Sequence, residues 1–170
     1  MRRVSLLLAS RSMLCVFPST ASAQERPWAL TVSSGVVDYD LSGTGQTIGT
    51  SVRGERFFTD RLSLEVGSLL AQPTEDFATT TLLAPEALVR YTFADGRLAP
   101  YVAGGGGFVM RHVEGQTAWD PSMAGAAGLR VRLSDETSIQ GEMRLRGIGR
   151  TWSGTNAEWT AGLVWRPSRF

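Results

Sequence analysis

Between Trp28 and Arg166 the chain divides into eight stretches that alternate polar with apolar residues, and the joins between them alternate in length. The stretches cover residues 28–40, 47–58, 62–71, 80–93, 98–111, 123–133, 138–148 and 157–166. Tight joins fall at 59–61, 94–97 and 134–136; longer polar joins fall at 41–46, 72–79, 112–120 and 149–156. At roughly 10 to 14 residues, each stretch is long enough to cross a bilayer at a tilt. Strands of soluble domains are usually about half that length. Two-residue periodicity punctuated by turn residues predicts an all-β chain. Short turns at one end and long loops at the other predict an eight-stranded antiparallel up-and-down transmembrane β-barrel.

The faces of the stretches carry the same message. In 138–148, Ile139, Gly141, Met143 and Leu145 share one face, while Gln140, Glu142, Arg144 and Arg146 share the other. The Asp95-Gly96 dipeptide favours a two-residue hairpin, which would set Phe93 against Leu98, Arg90 against Tyr101 and Glu86 against Gly105. A turn at 134–136 would set Arg130 against Gln140, Gly128 against Glu142, Ala126 against Arg144 and Ala124 against Arg146. Long charges then lie beside small residues, as a narrow interior filled by side chains requires. The expected lumen set is Arg53, Glu55, Glu65, Glu86, Arg90, Arg130, Arg132, Glu142, Arg144 and Arg146, with Glu55 facing Glu65 across their hairpin. Glu158 and Arg166 also point inward in this scheme. Leu62, Leu64, Val66, Leu70, Leu163 and Trp165 point outward. Aromatic girdles mark the two membrane–water interfaces: Trp28, Tyr91, Phe93 and Trp165 toward the short turns, and Trp119, Trp152 and Trp159 toward the long loops.

The first residues read as an export signal. Arg2 and Arg3 precede the apolar run Val4–Ala9, and Ala21-Ser22-Ala23 has the small-residue form of a cleavage site. Residues 1–23 are expected to be a signal peptide cleaved after Ala23, with the barrel domain spanning 24–170. Cleavage would remove Cys15, the only cysteine, and with it any disulfide or thiolate chemistry. Losing Arg2, Arg3 and Arg11 leaves 14 of the 17 basic residues against 16 acidic ones, a net charge of −2. No basic stripe marks a nucleic-acid partner. After residue 23 no run of about 18 apolar residues predicts a transmembrane helix.

Residues 27–170 resemble the small eight-stranded outer-membrane barrels of the OmpA transmembrane domain and OmpX type. The local carriers are Pro100-Tyr101-Val102-Ala103-Gly104-Gly105-Gly106-Gly107 and Ala161-Gly162-Leu163-Val164-Trp165-Arg166. The resemblance implies a monomer in the outer membrane of a Gram-negative-type bacterium, with periplasmic termini and external loops. It also implies contact with outer-membrane lipid and lipopolysaccharide, and recognition of a terminal aromatic, here Phe170, by the barrel-insertion machinery. Phe170 is out of step with the odd-numbered outward set that ends at Trp165. Pro85 and Pro100 remove ladder donors and are expected at irregularities near strand ends.

The chemistry on offer is sparse. The inward charges read as a structural network, with a narrow ion or small-solute channel as the alternative. A lipid A-modifying enzyme would need histidine with serine and an acid, but His112 is the only histidine and Glu114 stands where a His-x-Ser pair needs serine. One histidine and no cysteine cannot build a metal cluster of the usual kind. The glycines at 104–107 lack the Lys-Ser/Thr and helix of a phosphate loop. Asp38, Asp40, Glu75, Asp76, Glu114 and Asp120 gather near the long-loop end and read as a solvated rim. No catalytic, cofactor or metal residue is expected, and the role expected is structural or surface interaction.

Overall fold

A computed structural model describes residues 28–39, 45–75, 78–94, 96–113, 115–149 and 154–167. The expected signal peptide with Ala23, Trp152 and Phe170 lie outside the described residues, as do Asp40, Asp76 and Glu114. Among the described residues there are ten strands: β1 (Trp28–Asp38), β2 (Gln46–Phe57), β3 (Leu62–Ala71), β4 (Thr74–Glu75), β5 (Ala78–Thr79), β6 (Thr81–Thr92), β7 (Leu98–Val113), β8 (Gln116–Arg132), β9 (Thr137–Ile148) and β10 (Gly154–Trp165). Eight of them close an antiparallel barrel in the order β1-β10-β9-β8-β7-β6-β3-β2. β4 and β5 pair only with each other, as a small hairpin in the join between β3 and β6.

The expected alternation decides which face each residue takes. Along β9, Ile139, Met143 and Leu145 are exposed, whereas Gln140, Glu142, Arg144 and Arg146 are buried. Along β1, Trp28, Leu30 and Val32 are exposed while Thr31 and Ser33 are buried, with Ser33 Oγ 2.7 Å from Ser51 Oγ of β2. In lipid the apolar face needs no cover, so the usual soluble arrangement is reversed.

Two hairpin registers match expectation and one does not. Arg130↔Gln140, Gly128↔Glu142, Ala126↔Arg144 and Ala124↔Arg146 pair as the turn at 134–136 requires. Glu55 pairs with Glu65. The β6–β7 hairpin, however, is shifted by two residues: Arg90 pairs with Ala103, Tyr101 with Thr92, and Glu86 with Gly107. The Phe93 amide donates to the carbonyl of Pro100 rather than facing Leu98; Asp95 of the expected turn lies outside the described residues. Residues 98 and 99 pair with β8 instead. A shift of two preserves side-chain parity, so every face stays as expected. The β6–β7 ladder is also interrupted at Ala84 and Pro85, between Leu83↔Met110 and Glu86↔Gly107, where proline has no N–H to offer.

The expected long loop at 112–120 is mostly strand. β7 and β8 continue to Val113 and Gln116 around Gly115, whose φ of 82° suits glycine at the tip. β8 last pairs with β9 at Ser122, so its remaining residues rise above that neighbour by roughly 20 Å of strand at about 3.4 Å per residue.

Candidate functional site

Inside the barrel lies a layer of five buried arginines and five buried glutamates: Arg53, Arg90, Arg130, Arg144 and Arg146 with Glu55, Glu65, Glu86, Glu142 and Glu158. The layer carries no net charge. It is supplied by β2, β3, β6, β8, β9 and β10, because each of those strands turns its charged parity inward.

The contacts form a mesh rather than separate pairs. Arg90 bridges three strands: its Nη1 donates to Glu55 Oε2 (3.2 Å) and Gln140 Oε1 (3.3 Å), and its Nη2 to Glu65 Oε2. Arg130 Nη2 reaches Glu55 Oε2 at 2.7 Å and Gln140 Oε1 at 2.9 Å. Arg144 donates through Nε and Nη2 to Glu142 Oε1 (3.1 and 2.8 Å), through Nη2 to Glu65 Oε1 (2.9 Å) and through Nη1 to Glu86. Arg53 spans the lumen from β2 to Glu142 Oε1 on β9 at 2.9 Å, with its Nε 3.7 Å from Glu65 Oε1. Arg146 ties Glu86 Oε2 (2.8 Å) to Glu158 Oε1 (2.9 Å). Arg53, Arg90, Arg144 and Arg146 each reach more than one carboxylate, and Arg130 divides Nη2 between Glu55 and the Gln140 amide oxygen, so the parallel two-bond pairing common for arginine gives way to cross-linking.

Nine of the ten residues expected in the lumen therefore meet there. Arg132 does not join them: it shares the parity of Arg130 but lies nearer the short-turn rim and is exposed. Three further members belong to the layer. Glu158 binds Arg146, Gln140 bridges Arg90 and Arg130, and Tyr101 donates to Glu142 Oε2 at 2.7 Å beneath the Arg90 guanidinium, 4.0 Å from its ring. Their signal in the sequence is parity alone, because Tyr101 and Gln140 alternate in step with the inward charges.

A second layer lies toward the long loops. Val37, Leu69, Ala71, Ala84 and Val109 form a buried apolar cluster, with Leu82 and Ile148 packed against it. These residues share lumen parity with the charges, but nothing in their chemistry marks them as inward in a barrel set in lipid. Beyond them is a cavity of about 530 Å³.

The aromatics divide less symmetrically than expected. Trp28, Tyr91, Phe93 and Trp165 are exposed toward the short turns, and Tyr91 meets Phe93 edge-on at 5.3 Å. Trp119 is exposed on the part of β8 that rises above β9. Trp159 is also exposed, but it stands midway along β10 opposite Met143 rather than at the long-loop rim. His112 accepts or donates a 2.8 Å bond with Thr117 Oγ1, its partner across β7 and β8. Among the described residues no group of three or more His, Cys, Asp or Glu could hold a metal ion.

The closed barrel has many structural counterparts. Neisserial surface protein A aligns with a TM-score of 0.69 at 13% identity, covering 83% of this chain and 97% of that one. Ail, the attachment invasion locus protein of Yersinia pestis, aligns at 0.56 with 12% identity, covering 83% and 97%. The outer membrane enzyme PagL aligns at 0.54 with 12% identity, covering 81% and 98%. At such identities these likenesses speak for the fold alone. No curated protein sequence matches the chain. The family described as outer membrane protein beta-barrel domain matches residues 6–166. This chain belongs to that family and is a protein of the Gram-negative outer membrane.

Proposed function

We propose that this protein is a non-enzymatic, non-conducting surface barrel: the lumen is a structural plug, and the working surface is the long-loop end. The carrying observation is the neutral mesh of five arginines and five glutamates across an eight-stranded interior. Eight strands leave room for side chains and little else. Each charge has a partner, which is what makes its burial affordable. A narrow ion or small-solute channel is the competing reading, and the apolar cluster stacked on the charged layer speaks against it.

The part of β8 that rises above β9 supports a surface role. It exposes Gln116, Thr117 and Trp119, beside the exposed Arg111 and His112 at the end of β7. The names of two counterparts, a surface protein and an attachment invasion locus protein, suit this reading. A lipid A-modifying enzyme is not favoured, since His112 bonds to Thr117 and the His-x-Ser spacing is missing. Contact with lipopolysaccharide and membrane lipid, insertion guided by Phe170 and a monomeric state belong to the same proposal.

An epitope inserted at Gly115 tests the surface role. Antibody should reach it on intact cells, and liposomes loaded with the purified barrel should not swell in small sugars. An epitope reachable only after the outer membrane is broken, or rapid swelling, would contradict the proposal.

A further inference from the structure

The cavity at the long-loop end has the chemistry of a ligand site. The apolar cluster closes the barrel beneath it, because Leu82 and Ile148 belong both to that packing and to the cavity wall. Pro73 and Val113 complete an apolar lining. Against this stand the polar side chains of Tyr39, Thr80 and Asn156, and the pair formed by Arg111 and Asp120.

Asn156 gives the site its direction. It is 4% exposed, lines the cavity, and its Oδ1 has no hydrogen-bond partner among the described residues; that oxygen is almost fully covered, so a ligand meets it when the side chain turns toward the cavity. Buried acceptors of this kind are rare and call for a partner. Arg111 Nη2 lies 2.6 Å from Asp120 Oδ2, and both side chains are partly exposed. The pair is neutral as a unit, yet the guanidinium keeps free N–H donors and the carboxylate keeps free lone pairs.

Among the described residues the site therefore offers planar amide, carboxylate and guanidinium groups, an aromatic ring at Tyr39, and aliphatic walls, with no net charge. A ring bearing adjacent hydroxyls meets all of these: hydroxyls donate and accept at the planar groups, and the C–H face lies against the apolar lining. The cavity volume falls within the range of about 300–1,000 Å³ usual for small-molecule sites. We infer that this vestibule binds a neutral sugar unit, either free or at the end of a surface glycan. The inference deepens the surface role proposed above and rests on it for the direction from which the sugar arrives.

The test uses the purified, folded full-length barrel in a zwitterionic detergent without a sugar headgroup, since alkyl glycosides would compete. Calorimetric titrations are run with neutral mono- and disaccharides and, separately, with a neutral oligosaccharide released from lipopolysaccharide. Saturable binding of the small sugars is expected if the source is free sugar, and binding of the oligosaccharide alone if the source is a glycan. In either case Asn156→Leu should weaken binding by about tenfold or more, as loss of one buried hydrogen bond implies. Thr80→Val provides a second reading at the cavity wall should Asn156→Leu fail to fold, and it should weaken binding in the same direction. No saturable binding of any neutral saccharide, binding of charged saccharides only, or unchanged affinity in the folded variants would overturn the inference. Because the assay reads binding to purified barrel, a pore that conducts would overturn the plug reading without touching this one. A sealed barrel that binds no sugar would overturn this one alone.

Discussion

Glu55 and Glu65 stand directly opposite each other across the β2–β3 hairpin, both buried, and Arg90 donates to both. Like charges placed directly opposite on adjacent strands repel, and burial strengthens that repulsion by lowering the local dielectric. Arg130 adds a second cation at Glu55 and Arg144 a second at Glu65. The hairpin is thus locally unfavourable and depends on cations from β6, β8 and β9, which makes it a reporter of barrel closure.

Arg90→Leu should accordingly be strongly destabilising. Breaking a buried pair by removing one partner costs about 3–5 kcal/mol, and here one cation serves two carboxylates. Adding Glu55→Gln to Arg90→Leu should restore part of the loss by relieving the exposed repulsion. Urea unfolding in lipid vesicles measures both. Additive destabilisation by the two substitutions would show that the residues do not act through one another.

Tyr101→Phe isolates a single link. It removes the 2.7 Å bond to Glu142 Oε2 while keeping the ring under Arg90. Hydrogen bonds to charged groups contribute about 1.5–3 kcal/mol, and a loss of that size is expected in the same unfolding assay. An unchanged midpoint would mean that the hydroxyl is not part of the plug.

Arg144 and Leu145 are sequence neighbours with opposite fates, one buried in the mesh and one exposed on the outer face. In the single variants Arg144→Cys and Leu145→Cys, a lipid-soluble thiol reagent should label only the second. Leu145→Arg should cost about 2–4 kcal/mol if the residue lies near the bilayer midplane. Labelling of Arg144→Cys in its place would invert the register of β9.

Two glycines give a steric contrast. A Cβ on Gly107 would sit 2.0 Å from the carbonyl oxygen of Pro85 and 2.7 Å from Glu86 Cα, whereas a Cβ on Gly125 would meet nothing within 4 Å. Gly107→Ala should therefore lower the folded fraction on a heat-modifiability gel, and Gly125→Ala should leave it unchanged. Equal folding of both variants would show that β6 and β7 do not approach as closely as described.

How much of this was legible in the sequence follows from what parity can and cannot encode. Parity fixed the lumen face, because an inward arginine in β9 leaves its neighbours no other choice than lipid. It could not fix the β6–β7 register, since a shift of two leaves each face unchanged and Asp95-Gly96 favours a register two residues away from the observed one. It could not place Arg132, whose exposure depends on where the rim falls rather than on its face. The rise of β8 above β9 was hidden because Gln116, Thr117 and Asp120 are as suited to a solvated loop as to a strand standing in water. The apolar cluster was hidden because Val37, Leu69 and Val109 are apolar on the lumen side, where the pattern for lipid-spanning strands expects polar or small residues.

Single-channel recording in planar bilayers asks whether the charged mesh seals the lumen. Wild-type barrel should show little steady conductance. Glu65→Ala combined with Arg130→Ala removes one carboxylate that binds Arg90, Arg144 and Arg53 and one cation that binds Glu55. The double variant should open the barrel more than a loop change such as an insertion at Gly115. Large, stable, ion-selective conductance in the wild-type protein would mean that the mesh leaves a path through the lumen and that the barrel is a channel.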